Sequence, residues 1–311
     1  MKSLRLRALL LAFLVTVIWS FSWVLIKIGL HDELPPLTFA ALRYTIAFVC
    51  LLPFLWRSPA ERNALRRLTK QDVVRLLLLG LLFYTATQGL SFVALKYLPA
   101  ATYSLLLNFT AIGVMLGGIV LLREIPTPLQ YAGVGLFIFG LLLYFYPAQP
   151  LHAVGLAVGL LSMVTNAASS LLGRAINRSS TISPLLVTGV SMGTGSLALL
   201  VAALLVEGWT APGLQSWAII VWLAVIHTAF AFTLWNRTLR VLSATESSII
   251  NNTMLIQTAL LAWLFLGESL SGRDVMGLIV AALGILIVQI REQKVLINLW
   301  KRRGSVEPVS K

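Results

Sequence analysis

Twelve side chains in this sequence could grip a small polar molecule from inside long apolar runs: Trp19, Trp23, Arg43, Tyr84, Gln88, Ser104, Asn108, Asn166, His227, Ser248, Asn251 and Asn252. Ser104 and Asn108 are spaced i, i+4, as are Ser248 and Asn252, so each pair shares one helix face. Counting about 1.5 Å per residue puts both asparagines about 13 Å into their helices. Their amides are suited either to line a wet cavity or to bridge neighbouring helices. Ser247, Asn251 and Thr258 add a second polar line, wider than one helix contact needs. Tyr84, Gln88 and Ser91 form a comparable i, i+4, i+7 face, and Ser162, Asn166 and Ser169 another. Arg43 is placed either to hold a carboxylate bidentately or to snorkel outward to helix-end carbonyls. His227 could bind a ligand or carry a proton, or sit neutral against a neighbouring helix. Trp19, near mid-depth and followed by Trp23, offers a packing surface or a cation-accepting wall.

These are binding groups rather than a catalytic set. There is no HExxH signature, no pair of mid-depth aspartates, and no serine, histidine and acid at one depth. With no Asp or Glu at mid-depth, a carboxylate proton relay has no members. The one cysteine, Cys50, excludes a disulfide framework and a cysteine metal site. No metal or cofactor is expected, and an intramembrane enzyme is the weaker reading.

The elements that must position these residues follow from composition. Hydrophobic residues make up 58% of the chain and charged residues 11%, with mean hydropathy +0.89, which belongs in a bilayer. The net charge of +13 sits in short loops and tails with no basic stripe for nucleic acid, so it reads as topogenic. Ten runs are long enough to cross about 30 Å of hydrocarbon. They fall near 8–27, 36–56, 73–95, 99–122, 128–146, 151–173, 183–206, 215–238, 244–266 and 273–291. The first lacks a small-x-small cleavage pattern and reads as a membrane helix rather than a signal peptide. Of 24 basic residues, 20 fall on the side holding both termini, only Lys27, Lys96 and Arg273 on the other, and Arg43 within a helix. Both termini are therefore predicted in the cytoplasm.

The chain also repeats itself. A shift of 144 positions lays Leu95–Leu142 on Leu239–Leu286 with 12 identities in 48 pairs. The informative ones are Ser104 with Ser248, Asn108 with Asn252, Glu124 with Glu268, Gly133 with Gly277 and Gly140 with Gly284. Each copy would hold five helices, an odd number, so the second must enter the membrane from the opposite face. The expected fold is an all-α integral membrane protein of ten transmembrane helices, arranged as two inverted five-helix repeats. The first repeat is expected at 1–147, the second at 148–291, and a basic cytoplasmic tail at 292–311. Glu124 and Glu268 would each cap the helix that follows them.

On these residues the sequence resembles the EamA-like ten-helix carriers of the drug/metabolite transporter superfamily. The resemblance rests on Trp19 with Lys27, Pro36 with Arg43, Pro99, and the doubled Glu124–Gly133–Gly140 and Glu268–Gly277–Gly284 pattern. The second half departs from the first in carrying Ser243 in place of Pro99, and Asn166 with Arg174 in its entry helix. The resemblance implies a secondary active transporter of the bacterial inner membrane. It would export small polar metabolites, notably amino acids or related compounds, by alternating access through a central cavity. The alternative is exchange or uptake of sugar-linked or phosphorylated metabolites, which should require clustered basic residues at depth. A small-molecule substrate and the lipid bilayer are the expected partners, nucleic acid is not, and the chain is expected as a monomer or weak homodimer. Topology tags beside Glu124 and Glu268 are expected to report opposite faces of the membrane. The same face for both would rule out inverted halves.

Overall fold

The computed structural model describes residues 2–31, 34–122, 127–146, 151–179, 182–238, 241–242 and 250–304. Glu124, Ser243, Ser247 and Ser248 lie outside the described residues. Among the described residues every regular element is helical. In chain order these are α1 (Lys2–His31), α2 (Pro36–Arg57), α3 (Pro59–Arg66), α4 (Lys70–Gly80), a π-helical segment (Leu81–Thr87), α5 (Gln88–Tyr97), α6 (Ala100–Asn108) and α7 (Thr110–Leu122). They continue with α8 (Pro128–Phe145), α9 (Ala153–Ser179), α10 (Pro184–Val206), α11 (Leu214–Trp222), a second π segment (Leu223–Phe230), α12 (Ala231–Thr238), α13 (Met254–Leu266) and α14 (Gly272–Gly304).

Among the described residues seven continuous helical stretches are long and apolar enough to cross a bilayer, and Leu214–Thr228 and Ile250–Leu266 are shorter apolar helices. Helix starts are written in the sequence. Proline opens α2, α3, α8 and α10, where its missing N–H costs nothing. Capping boxes begin α4 (Thr69 with Asp72) and α8 (Thr127 with Gln130). Ser271 and Asp274 exchange equivalent bonds at the start of α14.

The most extensive helix pair is α8 with α14, and it is built from the repeated glycines. A Cβ on Gly133 would meet the carbonyl oxygen of Gly284 at 2.9 Å, and one on Gly140 that of Gly277 at 2.7 Å. Conversely, a Cβ on Gly277 would lie 2.8 Å from the Gly140 oxygen and one on Gly284 2.7 Å from the Gly133 oxygen. Each glycine of one copy thus faces the other-numbered glycine of the second copy, the self-complementary pattern of a local twofold. Helix α2 pairs with α10 in the same cross-copy fashion. Without side chains at these points the backbones approach closely, and dispersion supplies the attraction that hydrophobicity cannot supply in lipid.

The loops fall at two ends. At one end Lys27 Nζ donates to the Leu98 carbonyl, and Arg273 Nη1 donates to the Tyr146 carbonyl at 2.9 Å. At the other, Ser183 Oγ donates to Glu61 Oε2. Replacing Gly140 or Gly277 with valine is expected to lower the thermal unfolding temperature of purified protein, at a cost of about 1–3 kcal/mol from overpacking. The same change at Gly135, whose Cβ would meet nothing within 4 Å, should leave it nearly unchanged.

Candidate binding site

Two kinds of helix irregularity lie midway along the membrane-spanning helices, and both occur in both copies. The helix 70–97 widens into the π segment Leu81–Thr87, and the helix 214–238 into Leu223–Phe230. In each, a threonine hydroxyl donates to the carbonyl five residues back: Thr87 to Leu82 at 2.8 Å and Thr228 to Leu223 at 3.1 Å. A π turn inserts an extra residue and re-aims those around it. Tyr84 and His227 each stand four residues before the residue that closes their segment, Gln88 and Ala231.

The second irregularity follows the doubled asparagines. Rather than running unbroken over 99–122 and 244–266, the helices tighten at Phe109 and Thr253, the residues after Asn108 and Asn252. Phe109 N bonds to Leu106 O at 3.1 Å and Thr253 N to Ile250 O at 3.1 Å. Asn108 Nδ2 turns back to the Ser104 carbonyl at 2.8 Å, satisfying backbone beside the break. Asn252 is buried.

Around these irregularities lies a buried polar and aromatic centre. Trp19 Nε1 donates to the backbone oxygen of His227 at 3.0 Å, and its ring lies 5.3 Å from that of Trp235. Below them Gln257 on α13 accepts from Ser20 Oγ at 3.1 Å and donates to Thr16 Oγ1 at 3.2 Å and Thr253 Oγ1 at 2.8 Å. On the other flank Tyr103, Ser91 and Ser162 share their hydroxyls, with Ser162 2.9 Å from the tyrosine oxygen and 3.0 Å from Ser91. Trp23 meets Tyr103 edge-on at 5.4 Å, and Tyr44 meets Tyr84 edge-on at 5.5 Å.

Arg43 sits in this centre, only 7% exposed. Its guanidinium carbon is 5.3 Å from the centroid of Tyr44 and 6.0 Å from that of Phe92. It reaches no helix-end carbonyl and does not snorkel. Among the described residues no acceptor bonds to it, and its Nε is buried without a partner, as is His227 Nδ1. An arginine buried about 10 Å into an apolar helix is costly on insertion scales, which makes this arrangement expensive unless something else compensates it.

At the end holding the Lys27–Leu98 bond, two carboxylates reach across copies to helix starts. Glu207, just after α10, accepts from Leu37 N at 2.9 Å, Thr38 N at 2.8 Å and Thr38 Oγ1 at 2.9 Å. Glu268 accepts from Ala100 N at 2.7 Å and Ala101 N at 3.3 Å. The expected cap of the following helix by Glu268 is therefore corrected. Helix α14 is capped by its own Ser271 and Asp274, and Glu268 instead neutralises the start of α6, whose Pro99 leaves amides unfilled.

Of the residues singled out from sequence, Trp19, Trp23, Arg43, Tyr84 and His227 come together in the centre. Ser104 is buried and Gln88 half-buried beside it. Asn166 instead bonds Thr110 Oγ1 at 3.0 Å across α9 and α7, and Asn251 is exposed. Tyr44, Phe92, Tyr103 and Trp235 were not singled out, because an aromatic in an apolar run looks like ordinary core. The proximity of Tyr44 to Arg43 was the available signal.

The EamA-like transporter family profile matches this chain twice, over residues 6–146 and 153–290. The chain belongs to that family, and so to the drug/metabolite transporter superfamily, and is a multi-pass membrane transporter. It is 25% identical over 275 residues to an S-adenosylmethionine/S-adenosylhomocysteine transporter of Chlamydia trachomatis, spanning 84% of this chain and 83% of the relative. It is 33% identical over 133 residues to a probable amino-acid metabolite efflux pump of Escherichia coli, covering 42% of this chain and 40% of the relative. A solved crystal structure aligns with TM-score 0.65 at 19% identity, covering 92% of this chain and 98% of that one, and shares the fold.

Alanine at Glu207 or at Glu268 is expected to destabilise the protein by about 0.5–2 kcal/mol, as loss of a helix N-cap does. Thermal unfolding in detergent checks this, and glutamine at either position should recover part of the loss.

Proposed function

We propose that this transporter exports a small polar metabolite, an amino acid or a compound built on one, by alternating access through the buried centre. In this reading the two copies are inverted five-helix halves of a ten-helix carrier, the two π segments and the two broken helices face one another across the centre, and both termini lie in the cytoplasm of a bacterial inner membrane. The observation that carries it is the convergence of Trp19, Trp23, Arg43, Tyr84 and His227 on one buried locus flanked by backbone irregularities from both copies. Secondary transporters place their sites at such discontinuities near the midplane, at the junction of repeats.

Support for the repeat arrangement comes from the glycines that α8 and α14 present to each other and from the double family match. The relatives named for amino-acid metabolites and for S-adenosyl compounds support the substrate class, because S-adenosylmethionine is itself an amino acid derivative. Phosphorylated substrates fit less well: Arg43 is the one buried lysine or arginine among the described residues. The groups gathered here bind and orient, and no nucleophile–base pair accompanies them, so transport without chemistry is the reading for the whole chain.

Counterflow into proteoliposomes of purified protein, screened across labelled amino acids, nucleosides and sugars, tests this. Wild type is expected to exchange at least one amino acid or amino acid derivative. Alanine at Trp19, Asn108, His227 or Asn252 should leave the chain folded and cut exchange at least tenfold. Full exchange by all four variants would remove the centre from the pathway.

A further inference from the structure

We infer that the central site is an anion site in which Arg43 holds the carboxylate of the transported molecule, a deepening that rests on the carrier reading above. Arg43 is more than nine-tenths buried, its Nε has no partner, no hydrogen-bond acceptor among the described residues reaches its guanidinium, and its near neighbours are the faces of Tyr44 and Phe92. Aromatic faces soften the desolvation of a cation without neutralising it. Glu207 and Glu268, at one end of the fold, are committed to the starts of α2 and α6. A planar fork of donors left open in this way matches the two oxygens of a carboxylate.

Charge balance narrows the class further. One buried guanidinium pairs one carboxylate, and the ammonium of a zwitterionic amino acid is then left to the tryptophan faces. A phosphate dianion would leave a charge uncompensated there, because His227 is the one other basic side chain buried in the described part of the centre. His227 Nδ1, also without a partner, is available to the same ligand as a donor or acceptor. The rings of Trp19 and Trp235, 5.3 Å apart, stand on the His227 side and suit the remainder of the molecule.

Thermal unfolding of purified full-length protein and its R43M and R43K variants tests the site. Each is measured alone and with sodium acetate, leucine, threonine, leucinamide or sodium phosphate, beside counterflow of leucine and threonine. Without additive, R43M is expected to unfold at a higher temperature than wild type, since an unpaired buried charge has been replaced by an apolar chain. The carboxylates should stabilise wild type, R43K less so and R43M not at all, with leucinamide and phosphate without effect. Counterflow should fall at least tenfold in R43M. Equal stabilisation by leucinamide, stronger stabilisation by phosphate, or an R43M protein that still responds to carboxylates would overturn the anion site while leaving the carrier reading intact. Carboxylate stabilisation confined to proteins with Arg43, with no counterflow of any solute, would keep the site and remove the carrier reading.

Discussion

Inside hydrocarbon a backbone amide or carbonyl without a partner costs several kcal/mol, so every departure from a regular helix has to be repaired from within the protein. Much of this structure is repair. Thr87 and Thr228 hydroxyls donate to the carbonyls five residues back within their π segments, and Asn108 Nδ2 donates to the Ser104 carbonyl beside the tightened turn at Phe109. Glu207 and Glu268 fill the amides at the starts of two proline-led helices. The irregularities therefore persist because specific side chains hold them, and they cluster around one buried locus.

Most of these repairs are made within a helix, whereas the two carboxylates act between copies. Glu207 ties the end of α10 to the start of α2, and Glu268 ties the end of α13 to the start of α6. Both ties lie at one end of the molecule, with the Lys27–Leu98 bond between the same elements' neighbours. By contrast, α8 and α14 meet mainly through bare backbone at four glycines, with Gln130 Nε2 donating to the Val288 carbonyl at 3.2 Å beside them.

The all-helical class and the repeated glycines could be read from hydropathy and self-comparison, whereas the crosswise packing of Gly133 on Gly284 and Gly140 on Gly277 could not. Half of the site was legible too, because Arg43, His227 and Trp19 are conspicuous in apolar runs. The rest was hidden for physical reasons. A π turn leaves no mark in periodicity, since one added residue only rotates the face that follows. Tyr103 and Tyr44 look like core aromatics until their partners are known. Glu268 fills amides at the start of α6, far away in sequence, rather than those of the helix that follows it, a partner that sequence neighbours do not reveal. Asn166 takes the interhelical role open to any polar residue at depth, bridging to Thr110.

The central claim is that the two copies open one shared site to opposite faces in turn. Double electron–electron resonance on spin labels tests it most directly, in nanodiscs and with Cys50 replaced by alanine. One label pair sits at Tyr97 and Arg273, the other at Val241 and Leu129, which are the same two places in the two copies under the 144-residue shift. Adding a transported amino acid should lengthen one distance and shorten the other in the same molecules. Distances that stay fixed, or that lengthen and shorten together, would contradict alternation about a common centre.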